Sequence, residues 1–251
     1  MTLVQKGADA LTVLRSHESR RKFTGEKISP ECMEAIHDAI MQTSSTCFFQ
    51  FVTVITVQDQ AKLKRIAELA GNQTHIAKCS HYLVFCLDLT KLMHFTELKP
   101  PFGLKFLIGG LNDCSMCCQN ALVAAEAQGL GGVVVGGYKR GIAEVSQMLK
   151  LPQGVIPLLS LCLGVPDPEY EEEQKPRLPR HWIFMDEEFH DPYNADELKA
   201  YDAEMQRYYQ NRRYNQGNDT WTQAATAMLP GTATAAQAII DYLKAQGFEY
   251  F

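Results

Sequence analysis

The sequence has no long apolar run and no strong excess of one charge. Its 251 residues include 24 Lys and Arg against 29 Asp and Glu, which gives a formal net charge of −5. No stretch approaches the roughly 20 apolar residues that a membrane-spanning helix needs, so we expect no membrane partner. Residues 1–16 lack the charged-then-apolar pattern of an export signal. We therefore expect a cytoplasmic protein, and the acidic balance argues against nucleic acid as a partner.

The sequence also lacks the motifs of several common active sites. We find no GxGxxG turn, no P-loop, no GxSxG elbow, no HExxH pair and no internal repeat. The sequence thus offers neither an obvious protein nucleophile nor a metal centre. An enzyme of this kind would carry its chemistry on a bound cofactor.

Eight cysteines are present, but without an export signal they are not expected to form a disulfide framework. Cys114, Cys117 and Cys118 cluster as CSMCC in an apolar stretch that ends at Gly129. A structural zinc site would need a second pair of ligands at suitable spacing. We predict a buried helix in which these thiols act as small apolar groups, and no metal site.

Apolar periodicity predicts several strands separated by long helices, which is typical of an α+β or α/β sandwich. The predicted strands span residues 50–57, 81–88, 131–137 and 156–164. The predicted helices span residues 8–15, 30–41, 58–70, 107–128, 141–151, 196–213 and 233–246. We expect one domain over residues 1–251, with a core in 1–164 and an extended connector and helical arm in 165–251. Such an arm needs something to pack on, and a second subunit is one candidate.

Four polar stretches remain once the core is assigned: SHESRRKFTGEKIS from Ser16, TSSTCFFQ from Thr43, GNQTHIAK from Gly71 and KPRLP from Lys175. Each is compatible with a solvated loop, a capping turn or a linker. The first also gathers cations and hydroxyls near a helix end, a combination that suits a phosphate. RRK, YKRG and QRYYQNRRY could alternatively offer basic and aromatic contacts to nucleic acid.

Taken in order, these stretches, together with GLGGVVVGGYKRGI and LKLPQGVIPLLSLCLGVP, resemble one family. They are similar to the FMN-dependent, oxygen-insensitive nitroreductases and flavin reductases, in the branch that prefers NADPH. The resemblance extends to about residue 190 and continues more loosely through YYQNRRYNQGNDTW. It implies an α+β, nitroreductase-like sandwich with a mixed central β-sheet flanked by helices. It also implies a homodimer in which each C-terminal arm wraps the partner and two FMN sites lie at the interface.

The resemblance assigns the opening stretch to FMN. His17 and Ser19 match family positions near the phosphate, and Arg21 matches a position near the flavin ring. A cation there would stabilise negative charge on the ring. The other matched cofactor-binding residues are Ser44 and Ser45, which would come from the other subunit, Gln73, the close-approach glycines Gly136 and Gly137, and the cations Lys175 and Arg177.

Arg212 and Arg213 match the region in which the branch binds the nucleotide, so they would favour NADPH over NADH. The implied activity is a ping-pong reaction in which NADPH or NADH reduces FMN and the electrons then pass to a flat aromatic acceptor. Nitroaromatics, quinones and free flavins are the expected acceptors, and no protein acid or base is required. Two alternatives stay open: a flavin-binding sensor or store without turnover, and a nucleic-acid-binding module.

Overall fold

A computed structural model describes residues 9–170, 173–213, 216–229 and 232–249. The chain forms two compact units, one of Met1–Asp167 with Ala235–Phe251 and the other of Pro168–Thr234. The division falls close to the predicted start of the connector at residue 165. The last helix, however, groups mainly with the first unit rather than with the connector. The single-domain organisation over residues 1–251 stays a prediction.

The first unit contains a sheet of four strands in the order β1-β2-β4-β3. These strands are β1 Val52–Val57, β2 His81–Asp88, β3 Gly131–Val135 and β4 Val155–Gly164. Every pairing among them is antiparallel. The predicted mixed sheet is therefore wrong for these strands. The order of strands and helices in the sequence does not reveal which strands become neighbours. Strands β2 and β3 run in the same direction, but β4 lies between them and runs in the opposite direction.

Helices cover both faces of this sheet. Leu83, Phe85 and Leu87 face one core, to which α2 (Pro30–Met41) and α5 (Leu104–Glu126) contribute. Tyr82, Val84 and Cys86 alternate with them and face a second core. That core is covered by α3 (Gln60–Leu69) and α6 (Ile142–Met148). The sandwich and the two-sided burial of β2 are thus confirmed.

The remaining helices are α1 Ala10–Arg15, α4 Thr90–Phe95, α7 Ala195–Asn211, α8 Trp221–Met228 and α9 Thr232–Ala245. The predicted start of α2 is confirmed, because Ser29 accepts a hydrogen bond from the Cys32 amide and Pro30 occupies the first helical position. Helix α4 was not predicted, because its six residues are too few to show a helical period. Helix α8, which begins at a capping box formed by Thr220 and Gln223, was not predicted either.

The cysteine cluster lies inside α5, as predicted. Cys114, Cys117 and Cys118 are buried, and burial raises the pKa of Cys118 to about 12. Across residues 9–170, 173–213, 216–229 and 232–249, no group of three or more His, Cys, Asp or Glu side chains is arranged to hold a metal ion. Within the same part of the chain, no helix has the length and hydropathy needed to cross a bilayer.

Candidate functional site

The opening stretch lies along the edge of the sheet beside β3. Ser19 forms a parallel bridge with Gly132, and the Arg20 amide donates to the Gly132 carbonyl over 2.9 Å. A Cβ on Gly131 would lie 2.8 Å from the Cβ of Arg20, so the close approach depends on glycine. The stretch is therefore an ordered part of the sheet edge.

His17 contacts the last residue of α5. Its Nδ1 lies 2.6 Å from Oε1 of Glu126, and the carboxylate is the more buried of the two groups. Because an ionised carboxylate can only accept a hydrogen bond, Nδ1 of His17 carries the proton and donates the hydrogen bond to Glu126. This hydrogen bond fixes the orientation of the ring. Glu126 Oε2 is buried and has no hydrogen-bond partner within the described residues. The pair places an imidazole and a carboxylate at one end of the stretch.

Arg21 follows His17 by four residues and lies close enough to the turn that carries Gln73 and His75 for its charge to act on His75. Its Nη1 donates to the Ser19 carbonyl over 3.3 Å. Burial, and secondly the nearby Arg21 guanidinium, lower the pKa of His75 to about 4. Gln73 Nε2 donates to the Ala70 carbonyl over 2.9 Å, which fixes the amide within the turn.

The glycines after β3 lie against this same turn. A Cβ on Gly137 would lie 2.9 Å from the Ala70 carbonyl oxygen and 3.0 Å from Gln73 Nε2, so a side chain there would clash. Gly136 is exposed, and the nearest atom to a Cβ built on it is Lys139 Nζ at 3.9 Å. The structure thus brings together six of the predicted residues along β3 and just beyond its end: His17, Ser19, Arg21, Gln73, Gly136 and Gly137.

This donor set fits FMN. An imidazole and a hydroxyl at one end suit a phosphate, and a guanidinium and an amide at the other suit the polar edge of a ring. Exposed glycine backbone next to that end leaves room for a planar group to approach.

Ser44 and Ser45 lie elsewhere in the first unit, in the loop between α2 and β1. Ser45 Oγ accepts a hydrogen bond from the Gln50 amide over 3.0 Å, and the neighbouring Thr46 binds Asp113 of α5. Asp113 and Glu126 lie thirteen residues apart on this helix, which corresponds to about 20 Å along its axis. Thr43, which precedes the two serines, accepts a hydrogen bond from Asn120 of the same helix over 2.8 Å, so this loop contacts α5 from Asp113 to Asn120.

The four remaining predicted residues belong to the second unit. Lys175 Nζ donates to the Tyr209 hydroxyl over 2.9 Å, and Arg177 Nη1 donates to the Lys175 carbonyl over 2.7 Å. The Arg212 guanidinium lies over the ring of Tyr209, with 5.5 Å to its centroid. Arg213 is exposed and donates to the Glu169 carbonyl over 3.1 Å. Their roles towards cofactor or nucleotide stay predictions.

Three residues that lie beside the predicted ones were not predicted as site residues: Glu126, Asp113 and His75. For the two acids a signal existed. Both lie in a helix that is rich in apolar and small residues, and a carboxylate that is buried in such a helix needs a hydrogen-bond partner. The identity of each partner could not be read, because Glu126 and His17 are 109 positions apart in the sequence.

The buried imidazole of His75 should make folding stability fall in mild acid. Its Nε2 has no hydrogen-bond partner within the described residues, and its pKa lies at about 4 against an ordinary 6.5. The unfolded chain therefore takes up a proton at higher pH than the folded one. The contribution of the neutral His75 to the free energy of unfolding is therefore fully present above pH 6.5. It decreases by about 3 kcal/mol as the pH falls to 4.

Urea unfolding at intervals between pH 7 and pH 4 would measure this effect, with a His75→Leu variant as the reference. Carboxylates titrate in both proteins, so only the difference between the two curves reports His75. We expect the free energy of unfolding of the parent, relative to that of His75→Leu, to decrease as the pH falls. Parallel curves would show that His75 does not titrate in this way.

Comparison with known proteins shows which family this chain resembles over nearly its whole length. The profile of the nitroreductase family matches residues 107–165, and that of the nitroreductase family C-terminal domain matches residues 175–250. An NADPH-flavin oxidoreductase of Vibrio harveyi is 36% identical over 242 residues, which cover 95% of this chain and 98% of that protein. An oxygen-insensitive NADPH nitroreductase of Salmonella typhimurium is 35% identical, with 95% and 97% covered.

Solved structures show the same relationship. Nitroreductase A from Vibrio parahaemolyticus superposes with a TM-score of 0.86 at 34% identity and covers 95% of this chain and 97% of its own. The NADPH:FMN oxidoreductase of Vibrio harveyi, solved with NAD+, superposes with a TM-score of 0.85 at 33% identity and covers 95% and 98%. Relatives this similar over nearly the whole length, together with both family profiles, show that the chain belongs to the nitroreductase family.

Proposed function

We propose that this chain is an NADPH-dependent FMN oxidoreductase that reduces nitroaromatics, quinones or free flavin. The observation that carries the proposal is the row of His17, Ser19 and Arg21 along β3, which leads to Gln73 and the glycines beyond that strand. The names of the relatives support this activity. They give no support to a nucleic-acid-binding module or to a flavin store without turnover. A cytoplasmic location stays a prediction.

Within the proposed site, His17 and Ser19 hold the phosphate of FMN. Arg21 lies beside the flavin ring, where a guanidinium stabilises negative charge. The backbone at Gly136 and Gly137 lets the ring lie close to the chain. When bound, FMN supplies the electron transfer between NADPH and the acceptor, so the protein needs only to bind and orient the two substrates.

We further propose that the C-terminal arginines select NADPH. A guanidinium forms paired, charge-assisted hydrogen bonds with a phosphate, and NADPH differs from NADH by its 2′-phosphate. Arg213 is exposed and its described contact is with a backbone carbonyl, so its charge is available to an anion. Arg212 packs on Tyr208 and Tyr209 at the end of α7 and would hold the position of its neighbour.

The active form is proposed to be a homodimer. The resemblance matches Ser44 and Ser45 to positions that a second subunit supplies to the site. Helix α5 exposes Leu104, Ile108 and Leu111 at a spacing that places them on one face. An apolar row of this kind on the surface is typical of a face that another subunit covers.

The purified protein should be yellow and should contain FMN rather than FAD. Heat would release the cofactor, and chromatography would identify it. Addition of NADPH should bleach the colour, and a quinone should restore it. FAD or no flavin in the extract would contradict the assignment of His17 and Ser19 to a monophosphate. Flavin that NADPH does not bleach would favour a flavin-binding protein without turnover.

A further inference from the structure

A buried carboxylate in α5 holds the loop that carries the two predicted serines. Asp113 is 0% exposed. Both of its oxygens accept from the Thr46 amide over 3.0 Å, and Oδ1 also accepts from the Thr46 hydroxyl over 2.7 Å. Burial of a carboxylate is costly unless hydrogen bonds compensate for the lost water. The loop supplies this compensation through one residue, so the position of Thr46 relative to α5 is strongly fixed.

One turn earlier in α5, Gly109 leaves space for the same residue. A Cβ on Gly109 would lie 3.2 Å from Thr46 Cγ2 and 3.2 Å from the ring of Phe51. Gly109 and Asp113 are four residues apart and therefore lie on the same side of the helix. Together they form a fitted seat in which the glycine accommodates the methyl group of Thr46 and the carboxylate binds its amide and hydroxyl.

The loop needs such a seat because its backbone is strained. Cys47, Phe48 and Gln50 have φ of 49°, 58° and 51°, a region that residues other than glycine rarely adopt. Each such residue costs about 1 kcal/mol or more, so surrounding contacts must impose the conformation. Burial does not supply these contacts for Phe48, which is 78% exposed. The hydrogen bonds of Thr46 to Asp113, and of the Gln50 amide to Ser45, do so instead.

We propose that Asp113 is a positioning residue for the cofactor: by binding Thr46 it fixes residues 44–50 in the conformation in which Ser44 and Ser45 meet FMN. This inference rests on the proposed function, because it assigns these serines to the cofactor. It adds a residue that does not itself touch FMN. Loss of the hydrogen bonds between Asp113 and Thr46 should therefore lower the affinity for FMN more than it lowers the stability of the fold.

An Asp113→Asn variant tests this, with Asp88→Asn as a matched control. Asp88 is also a buried carboxylate, and it accepts from the Thr53 hydroxyl over 2.6 Å and the Thr90 amide over 2.9 Å. We expect the FMN dissociation constant, measured by quenching of flavin fluorescence, to rise about tenfold or more in Asp113→Asn and to change less than about twofold in the control. Thermal unfolding of each apoprotein reports the separate effect on the fold.

A second pair of variants covers the case in which Asp113→Asn does not fold. Thr46→Val keeps the shape and removes the hydroxyl donor, whereas Thr46→Ser keeps the donor. Thr46→Val should weaken FMN binding and change the visible circular dichroism of the bound flavin, and Thr46→Ser should resemble the parent. Parental FMN affinity in Asp113→Asn, or equal affinities in the two Thr46 variants, would overturn the positioning role alone. A parent that binds no FMN would overturn the proposed function and this inference with it.

Discussion

An Ile108→Asp variant should be a monomer under conditions in which the parent is a dimer. Ile108 is 53% exposed and lies between Leu104 and Leu111 in the apolar row of α5. In a twofold-symmetric dimer the substitution occurs twice at the same interface. A carboxylate buried there without a partner costs several kcal/mol. The dimer dissociation constant should therefore rise by about a thousandfold or more.

Sedimentation or light scattering over a range of protein concentrations would measure this change. Phe95→Asp is the control, because Phe95 is 82% exposed but lies on α4, outside the apolar row. We expect the control to remain a dimer. FMN binding should be lost together with the dimer in Ile108→Asp, because each proposed site needs serines from the second subunit. A dimeric variant that keeps its flavin would show that this face of α5 is not the interface.

A His17→Ala variant should bind FMN about a hundredfold more weakly than the parent. Loss of a charge-assisted contact to a phosphate costs roughly 1.5–3 kcal/mol. The substitution also deprives the Glu126 carboxylate of its 2.6 Å contact with the imidazole. A buried negative charge would then lie close to the phosphate dianion and repel it. Both effects act in the same direction, which is why the expected loss is large.

The dissociation constant of FMN, measured after removal and return of the cofactor, tests this expectation. His37→Ala is the matched control, since His37 is an exposed histidine on α2 that lies 3.6 Å from Glu34. The double variant His17→Ala with Glu126→Gln separates the two causes. Removal of the negative charge should restore part of the affinity. If His17→Ala binds FMN as tightly as His37→Ala, His17 does not hold the phosphate.

Local features of the fold were readable from the sequence because their causes are local. Ser29 and Pro30 set the start of α2, and the apolar run from His81 defines β2 with the predicted bounds. The direction of strand pairing was not readable. It depends on β4 inserting between β2 and β3, a contact between segments far apart in the chain.

For the site too, local features could be predicted from the sequence and contacts between distant segments could not. The residue types that suit a phosphate and a ring could be found as a run in the sequence, and the structure places that run beside β3. The carboxylates of α5 that hold His17 and Thr46 could not be paired with these partners from the sequence. Asp113 and Thr46 are separated by 67 positions, and no sequence pattern around either residue indicates that the two are in contact.

One consequence of α5 concerns how the protein can change over evolutionary time. Its residues 113 and 126 each hold a different loop, through Thr46 and His17. Inserting one residue between them would turn one end of the helix by about 100° relative to the other and move it by about 1.5 Å. Neither loop could follow without losing its hydrogen bonds. We therefore expect the length of this interval to be constrained more strictly than the length of the loops at either end of the helix.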